Sequence, residues 1–462
     1  MTASDTCAQA TSPRPTDGWP QAAALIAASL GFTVIQLDVT VVNVALRPIA
    51  TAFGGGVTAL QWVVSAYTLV FAAFMLTAGS IGDRFGPRRV VCVGFVVFLT
   101  ASAGCGLATG TATLIAARAV QGIGAALLGS CSLALLNQTF TDPARRARAL
   151  GLWAAGGSVA LSGGPVVGGV LIATLGWRSI FFINVPISLF GLWLTWRYAP
   201  RTPGAAHRRV HLGSAVMAVT TLAAFAAAVI ESGSHGFTSP WVLGGLALSL
   251  FTAVAFVRLQ ARTTEPMLPL ALFRMRLFTA PIVIGTSVNV CYYGLNFLFT
   301  LLFQAHQGLS PLRAGLAFLP MTAAVLAANL LSGRFGALGP GRTILVGLAA
   351  MLAGCVALLP VGAHTAYPAL IAQQVLLGGG LGLLVPPLTG LLLSSAEPSR
   401  SGVASGAFTA FRQAGSLLGV ALFGSLVSSG HFYTGLHTAI WISIAAVTLS
   451  AVIAVRVSVN RT

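Results

Sequence analysis

The chain is a succession of long apolar runs separated by short polar breaks. Fourteen runs stand out, at about 20–46, 59–80, 89–109, 111–136, 148–174, 178–197, 212–231, 240–258, 277–303, 313–332, 342–361, 366–393, 403–427 and 435–456. Each is close to or above the roughly 20 residues that a helix needs to cross a hydrocarbon layer about 30 Å thick. The pattern predicts an all-α membrane protein whose spans are numbered 1 to 14 in chain order. Composition agrees: 56% of residues are hydrophobic and 7% charged, and the mean hydropathy is +0.89. A soluble domain could not keep such a surface in water, so residue count says nothing about soluble domains here.

The polar breaks set the orientation. All 25 basic residues are arginine. Arg47, Arg178 and Arg313 fall in one set of loops, Arg118 and Arg412 lie inside spans, and the rest sit in the tails and the opposite loops. By the positive-inside rule the arginine-rich side, with both termini, is expected in the cytoplasm and the chain in the cell membrane. The net charge of +17 is then a topology signal, with no nucleic-acid partner implied. No loop is long enough for a soluble domain. Residues 1–19 lack the cationic start and short apolar core of a cleaved leader, and are expected to form a cytoplasmic tail.

An internal repeat divides the chain. "LIAARAVQGIGAAL" (114–127) aligns without a gap to "LIAQQVLLGGGLGL" (370–383), and "GDRFGPRR" (82–89) has a weaker echo in "GRFGALGPGR" (333–342). The chain therefore reads as two six-span halves, 20–197 and 277–462, with spans 7 and 8 inserted in segment 198–276. Duplicated halves with a binding site at their interface are typical of secondary transporters.

Three segments carry further signal. In the loop between spans 2 and 3, Gly82 and Gly86 allow a tight turn, and Asp83 stands among Arg84, Arg88 and Arg89. Gly122 lies in "RAVQGIGAAL", and "GGPVVGG" (163–169) places Gly164, Pro165, Gly168 and Gly169 in span 5. Small residues let helices pack closely in lipid, and the proline favours a kink, a combination suited to a hinge. The loop resembles the signature loop of the major facilitator superfamily. "RAVQGIGAAL", "GGPVVGG" with "GWRSIFFINVP" (176–186), and "LDVTVVNVAL" (37–46) resemble motifs of its fourteen-span drug:proton antiporters. The resemblance implies the major facilitator fold, here two six-span halves plus two extra central spans, and efflux of drugs or antibiotics driven by proton entry. Two departures stand out. Ala160 replaces the usual glycine before Gly164, and the second-half loop has lost its aspartate.

Only eight residues are acidic, and Asp38 is the one placed well inside a span. Thr33, Gln36, Thr40 and Asn43 recur at helical spacing as a polar stripe suited to a cavity, and Asp38 projects to roughly the opposite face. Arg118 lies at a similar depth in span 4, both groups about 10–12 Å below the outer end at 1.5 Å per residue. An ion pair lowers the cost of both charges in the membrane. Burial opposes ionisation of the carboxyl and the arginine favours it, so the pair is a candidate for proton coupling, or a permanent lock between two helices. Asn289, Tyr292, Tyr293 and Asn296 in span 9 suit a drug-like ligand, or packing alone. Arg412 in span 13 has no acid at its depth and is a candidate for binding polar substrate atoms. Trp62 and Tyr67 could anchor span 2 at the membrane interface. Glu231 is expected as an exposed cap or in a salt bridge at the outer end of span 7, rather than in coupling.

The expected partners are a small-molecule substrate, protons and the lipid bilayer. The six cysteines and seven histidines show no metal-ligand spacing, and a chain without lysine holds no phosphate-binding P-loop. No metal, cofactor or catalytic set is expected, so the chain reads as a non-enzyme. A proton-coupled importer of a small metabolite shares every feature except direction. A non-transporting receptor or an intramembrane enzyme fits less well, because no signalling domain or catalytic cluster is visible. Substrate identity and oligomeric state are not readable.

Overall fold

The computed structural model describes residues 18–201, 212–263, 266, 268, 270–332, 339–395, 401–428 and 430–459. The N-terminal tail, most of segment 197–211 and most of the echo loop 333–342 lie outside the described residues. Fourteen helices are long and apolar enough to cross a membrane: Gly18–Phe53, Val57–Phe85, Pro87–Gly106, Thr111–Thr139, Pro143–Leu175, Ser179–Tyr198, Gly213–His235, Pro240–Arg262, Arg276–His306, Pro311–Leu331, Pro340–Ala357, Tyr367–Ser394, Val403–Val427 and Phe432–Val457. They correspond one to one with spans 1–14, and no strand occurs among the described residues.

Within the first half, span 1 packs on span 5, and span 4 packs on spans 2 and 3; spans 9 on 13, and 12 on 10 and 11, repeat the arrangement. Glycines permit these close approaches. A Cβ on Gly122 would stand 2.6 Å from the Tyr67 carbonyl in span 2, and one on Gly378 would overlap the Met321 carbonyl in span 10. A Cβ on Gly124 would stand 2.7 Å from the Phe98 nitrogen in span 3, and one on Gly380 2.6 Å from the Gly347 carbonyl in span 11. The internal repeat is thus a repeat of helix contacts.

The halves meet along spans 2 and 13 on one side and spans 5 and 10 on the other. Span 7 packs against both span 2 and span 13, whereas span 8 packs on span 7. The loop between spans 2 and 3 is a tight turn. Gly86 has φ 87°, where an L side chain would be strained, and its N–H bonds the Gly82 carbonyl at 3.0 Å. Pro87 then opens span 3, where a missing N–H costs nothing. Gly82 is buried against Cys131, Arg88 bonds the Trp196 carbonyl, and Asp83, Arg84 and Arg89 are exposed.

Candidate functional site

Asp38 and Arg118 meet as a buried ion pair, 0% and 1% exposed. Burying both groups is costly unless their lone pairs and N–H groups find partners. The first half supplies them. Asp38 Oδ2 accepts from Arg118, and its Oδ1 accepts from Gln121 Nε2 at 2.9 Å and Asn184 Nδ2 at 3.0 Å. Arg118 also donates to Gln121 Oε1 at 2.9 Å and to the Val63 carbonyl at 3.2 Å. Ser102 Oγ accepts from both amides and donates to the Phe181 carbonyl at 2.9 Å. The guanidinium carbon lies 4.3 Å from the Tyr67 ring centroid, and the Tyr67 hydroxyl is buried without a partner. The network draws on spans 1, 2, 3, 4 and 6 and leaves the carboxylate fully engaged. Tyr67 is 0% exposed, which corrects its reading as an interface anchor. Trp62 packs beside Phe225 of span 7. Glu231 is half-buried and pairs with His235 at 3.5 Å.

Two narrow cavities separate the halves beside this network. The larger, about 20 Å³, is lined by Asn43, Tyr67 and Arg118 from the first half and by Tyr293, Gln413 and Ser416 from the second. The smaller, about 10 Å³, is lined by Thr40, Asn43, Tyr292, Tyr293, Asn296 and Thr322 among others. Such volumes admit a water molecule at most, so any organic ligand requires the halves to part. Asn43 Nδ2 donates to Asn296 Oδ1 across the interface at 3.1 Å. Asn289 is held by the Gly285 carbonyl at 2.7 Å and accepts from Ser416 at 3.5 Å.

The stripe on span 1 is divided. Thr40 and Asn43 line cavities, but Thr33 and Gln36 line neither. Thr33 is half-buried near Gly156 of span 5, and the Gln36 carbonyl accepts the Thr40 hydroxyl at 3.1 Å. Span 5 accounts for the difference. A Cβ on Gly164 would overlap Thr40 Oγ1, and one on Gly168 would crowd Val41. On its other face a Cβ on Gly169 would stand 2.9 Å from Leu312 Cα, and the Pro165 carbonyl lies where a Cβ on Gly315 would be. One glycine-rich segment thus joins span 1 of its own half to span 10 of the other.

Close contacts between halves gather at the end holding loops 54–56 and 307–310. There Gln304 Nε2 donates to the Val44 carbonyl at 2.9 Å, and Arg47 donates to the Gln304 side chain and carbonyl. Gln304 sits in a π-helical turn, residues 302–306, that ends span 9. Gln61 Nε2 reaches the Ala421 carbonyl at 2.8 Å. Toward the other end the halves stand further apart: Asn329 reaches Ser158 at 3.4 Å, and a Cβ on Gly406 would be 4.0 Å from Leu76.

Arg412 is the other cation inside a span. Its stem lies against Gly285 and its guanidinium carbon is 5.6 Å from the Phe408 ring centroid. Its Nε is buried without a hydrogen-bond partner, and among the described residues no carboxylate pairs with it.

Gln121, Asn184 and Ser102 were not singled out in the sequence. Gln121 had a signal, since it sits three residues after Arg118 on the same helical face. Asn184 is a polar residue in an apolar run; Ser102 carries no cue of its own.

A family model described as Major Facilitator Superfamily matches residues 28–420 and, separately, 282–459. The chain is 36% identical over 412 residues to a methylenomycin A resistance protein of Streptomyces coelicolor, covering 89% of this chain and 86% of that one. It is 35% identical over 406 residues to the multidrug resistance protein Stp of Mycobacterium tuberculosis, covering 88% and 75%. In fold it is similar to a peptide transporter crystallised with sulfate, with a TM-score of 0.69 over 94% of each chain at 14% identity. With fourteen apolar helices and a family model that matches most of its length, this chain belongs to the major facilitator superfamily and is a transporter rather than an enzyme.

Proposed function

We propose that the protein exports a small amphipathic compound, such as an antibiotic or drug, across the cell membrane in exchange for protons, and that Asp38 carries the proton. The observation that bears most weight is a carboxylate buried in the first half whose arginine partner also lines the cavity between the halves. Relatives named for antibiotic and multidrug resistance support the efflux direction. The arginine distribution supports cytoplasmic termini, which makes the Arg47–Gln304 end the outer one. The described conformation is then closed to the outside.

In this cycle Arg118 pairs with Asp38 while the site faces inward. When the halves rock and the cavity opens outward, a proton reaches the carboxyl and neutralises it. Arg118 loses its counter-ion, and its rearrangement at the cavity wall reshapes the substrate site for release. Return to the inward state restores the pair and expels the proton. Thr40, Asn43, Tyr292, Tyr293 and Asn296 contact the substrate once the halves part. Gly164, Pro165, Gly168 and Gly169 close the outer side, and the loop bearing Asp83 steadies the inner side.

Expression in a pump-deleted bacterial host should raise the inhibitory concentration of at least one antibiotic. In everted vesicles an imposed pH gradient should drive its uptake. Accumulation that ignores the gradient sinks the coupling. Cysteine labelling should reach positions 82–89 only from inside and 233–238 from outside; the reverse result inverts the orientation.

A further inference from the structure

The interior carries an unbalanced positive charge. Asp38 and Arg118 cancel, and Asp38 already accepts from Arg118, Gln121 and Asn184. Spans 9–14 contain no Asp or Glu. Among the described residues Arg412 therefore has no carboxylate partner; its Nε is unsatisfied and its guanidinium carbon lies 5.6 Å from the Phe408 ring centroid. A guanidinium cannot shed its proton at physiological pH, and an unpaired cation at membrane depth is costly. Such a group is retained where something brings it a counter-ion for part of the cycle. Gln413, the next residue, and Ser416, one turn further along span 13, line the cavity with Tyr293, so Arg412 lies beside the space that opens between the halves.

We infer that the transported compound is an organic anion, with a carboxylate or similarly acidic oxygen pairing with Arg412 and an apolar body lying between the aromatic side chains of span 9 and the wall of span 1. The fork of the guanidinium suits two oxygens sharing one charge. A cationic compound would meet like charge with no carboxylate near it. The inference rests on the efflux reading for its direction, but the charge preference is a property of binding alone.

The test uses three probes with one aromatic body: 2-naphthoate, 2-naphthamide and 2-naphthylmethylammonium. Binding to the purified full-length protein in detergent is measured by calorimetry and by the shift in unfolding temperature, without a proton gradient. Naphthoate should bind about tenfold or more tighter than the amide, and the ammonium compound weakest. Arg412→Gln should erase the preference and Arg412→Lys should keep part of it. If Arg412→Gln fails to fold, the order of the three probes on the unaltered protein decides alone. An amide or ammonium probe that binds as well as naphthoate, or no binding by any probe, overturns the inference. Asp38→Asn should retain the preference. A retained preference with no gradient-driven efflux sinks the proton-coupled reading only; gradient-driven efflux with no preference sinks this inference only.

Discussion

Spans 4 and 12 make the same helix contacts through matched glycines, yet one turn before those glycines they differ. Span 4 carries Arg118, tied to Asp38 and Gln121. Span 12 carries Gln374, fully buried, with neither side-chain polar atom partnered. Span 1 has its carboxylate at this level. In span 9 the buried Cys291 makes only a weak contact, Sγ to the Ser443 carbonyl at 3.9 Å. The second half folds into the same arrangement without any charge at this place, so the architecture does not demand one. That difference favours a role for Asp38 and Arg118 in the transport cycle over a purely structural lock. On the proposed reading it also separates two tasks, a proton site in the first half and a cation beside the substrate space in the second.

The sharpest way to break the comparison is to make the first half like the second. Asp38→Asn with Arg118→Gln removes both charges together, so neither is left buried alone. The protein should insert and unfold near its usual temperature, while concentrative transport under a pH gradient falls to background. A double variant that still concentrates substrate would return the pair to a structural role. Asp38→Asn alone should lose coupling equally and be less stable, by about 3 kcal/mol or more, because Arg118 keeps its charge.

Next in size are the glycines between halves. Gly169→Ala or Gly315→Ala adds a methyl group where backbone of the other half lies. Transport should drop about tenfold or more, with thermal stability of each half little changed, since the clash is relieved by parting the outer side. Enhanced labelling of a cysteine placed near Gln304 would report that parting. Gly378→Ala, whose clash is inside the second half, should instead lower stability by about 1–3 kcal/mol. If both kinds of variant merely unfold, the distinction between interface and interior glycines fails.

A smaller effect is expected at Gln121→Leu. Asp38 loses one donor and Arg118 one acceptor. With the network opened at both charged groups, transport should slow about tenfold. An unchanged transport rate would make Gln121 packing only. The least change belongs to Gln374→Leu, which removes an amide that bonds to nothing. Transport should stay within about twofold and stability rise by up to about 1 kcal/mol, read as a higher unfolding temperature. A loss of transport there would give the second half a polar role that the present contrast denies.

These contrasts also mark what the chain reveals before folding. Span number and the repeat were open to reading, because lipid imposes helix length and apolar composition directly. The approach of Asp38 to Arg118 was readable from depth along two helices. Helical periodicity assigned Thr33, Gln36, Thr40 and Asn43 to one face, but it could not say that Gly156 and Gly164 of span 5 cover part of it. Tyr67 was misread as an anchor although it sits some ten residues below the outer end of span 2, about 15 Å at helical rise, which already argues for the interior. The unsatisfied state of Gln374 and Arg412 depends on what is absent around them, and no local pattern carries that.

Span 7 touches one helix of each half, span 2 and span 13, and Gly233 lies close enough to Ser425 and Ser428 that a Cβ there would collide. Rocking of the halves therefore cannot leave this hairpin indifferent. Either span 7 rides with one half and slides against the other, or it flexes like a leaf spring fixed along two edges. Among the described residues span 8 packs chiefly on span 7 and faces outward with Trp241, Leu250 and Phe251, so acyl chains pressing on it act through span 7 on the seam. Bilayer thickness and lateral pressure then become mechanical inputs to the alternation, delivered on one flank of the molecule and not on the other.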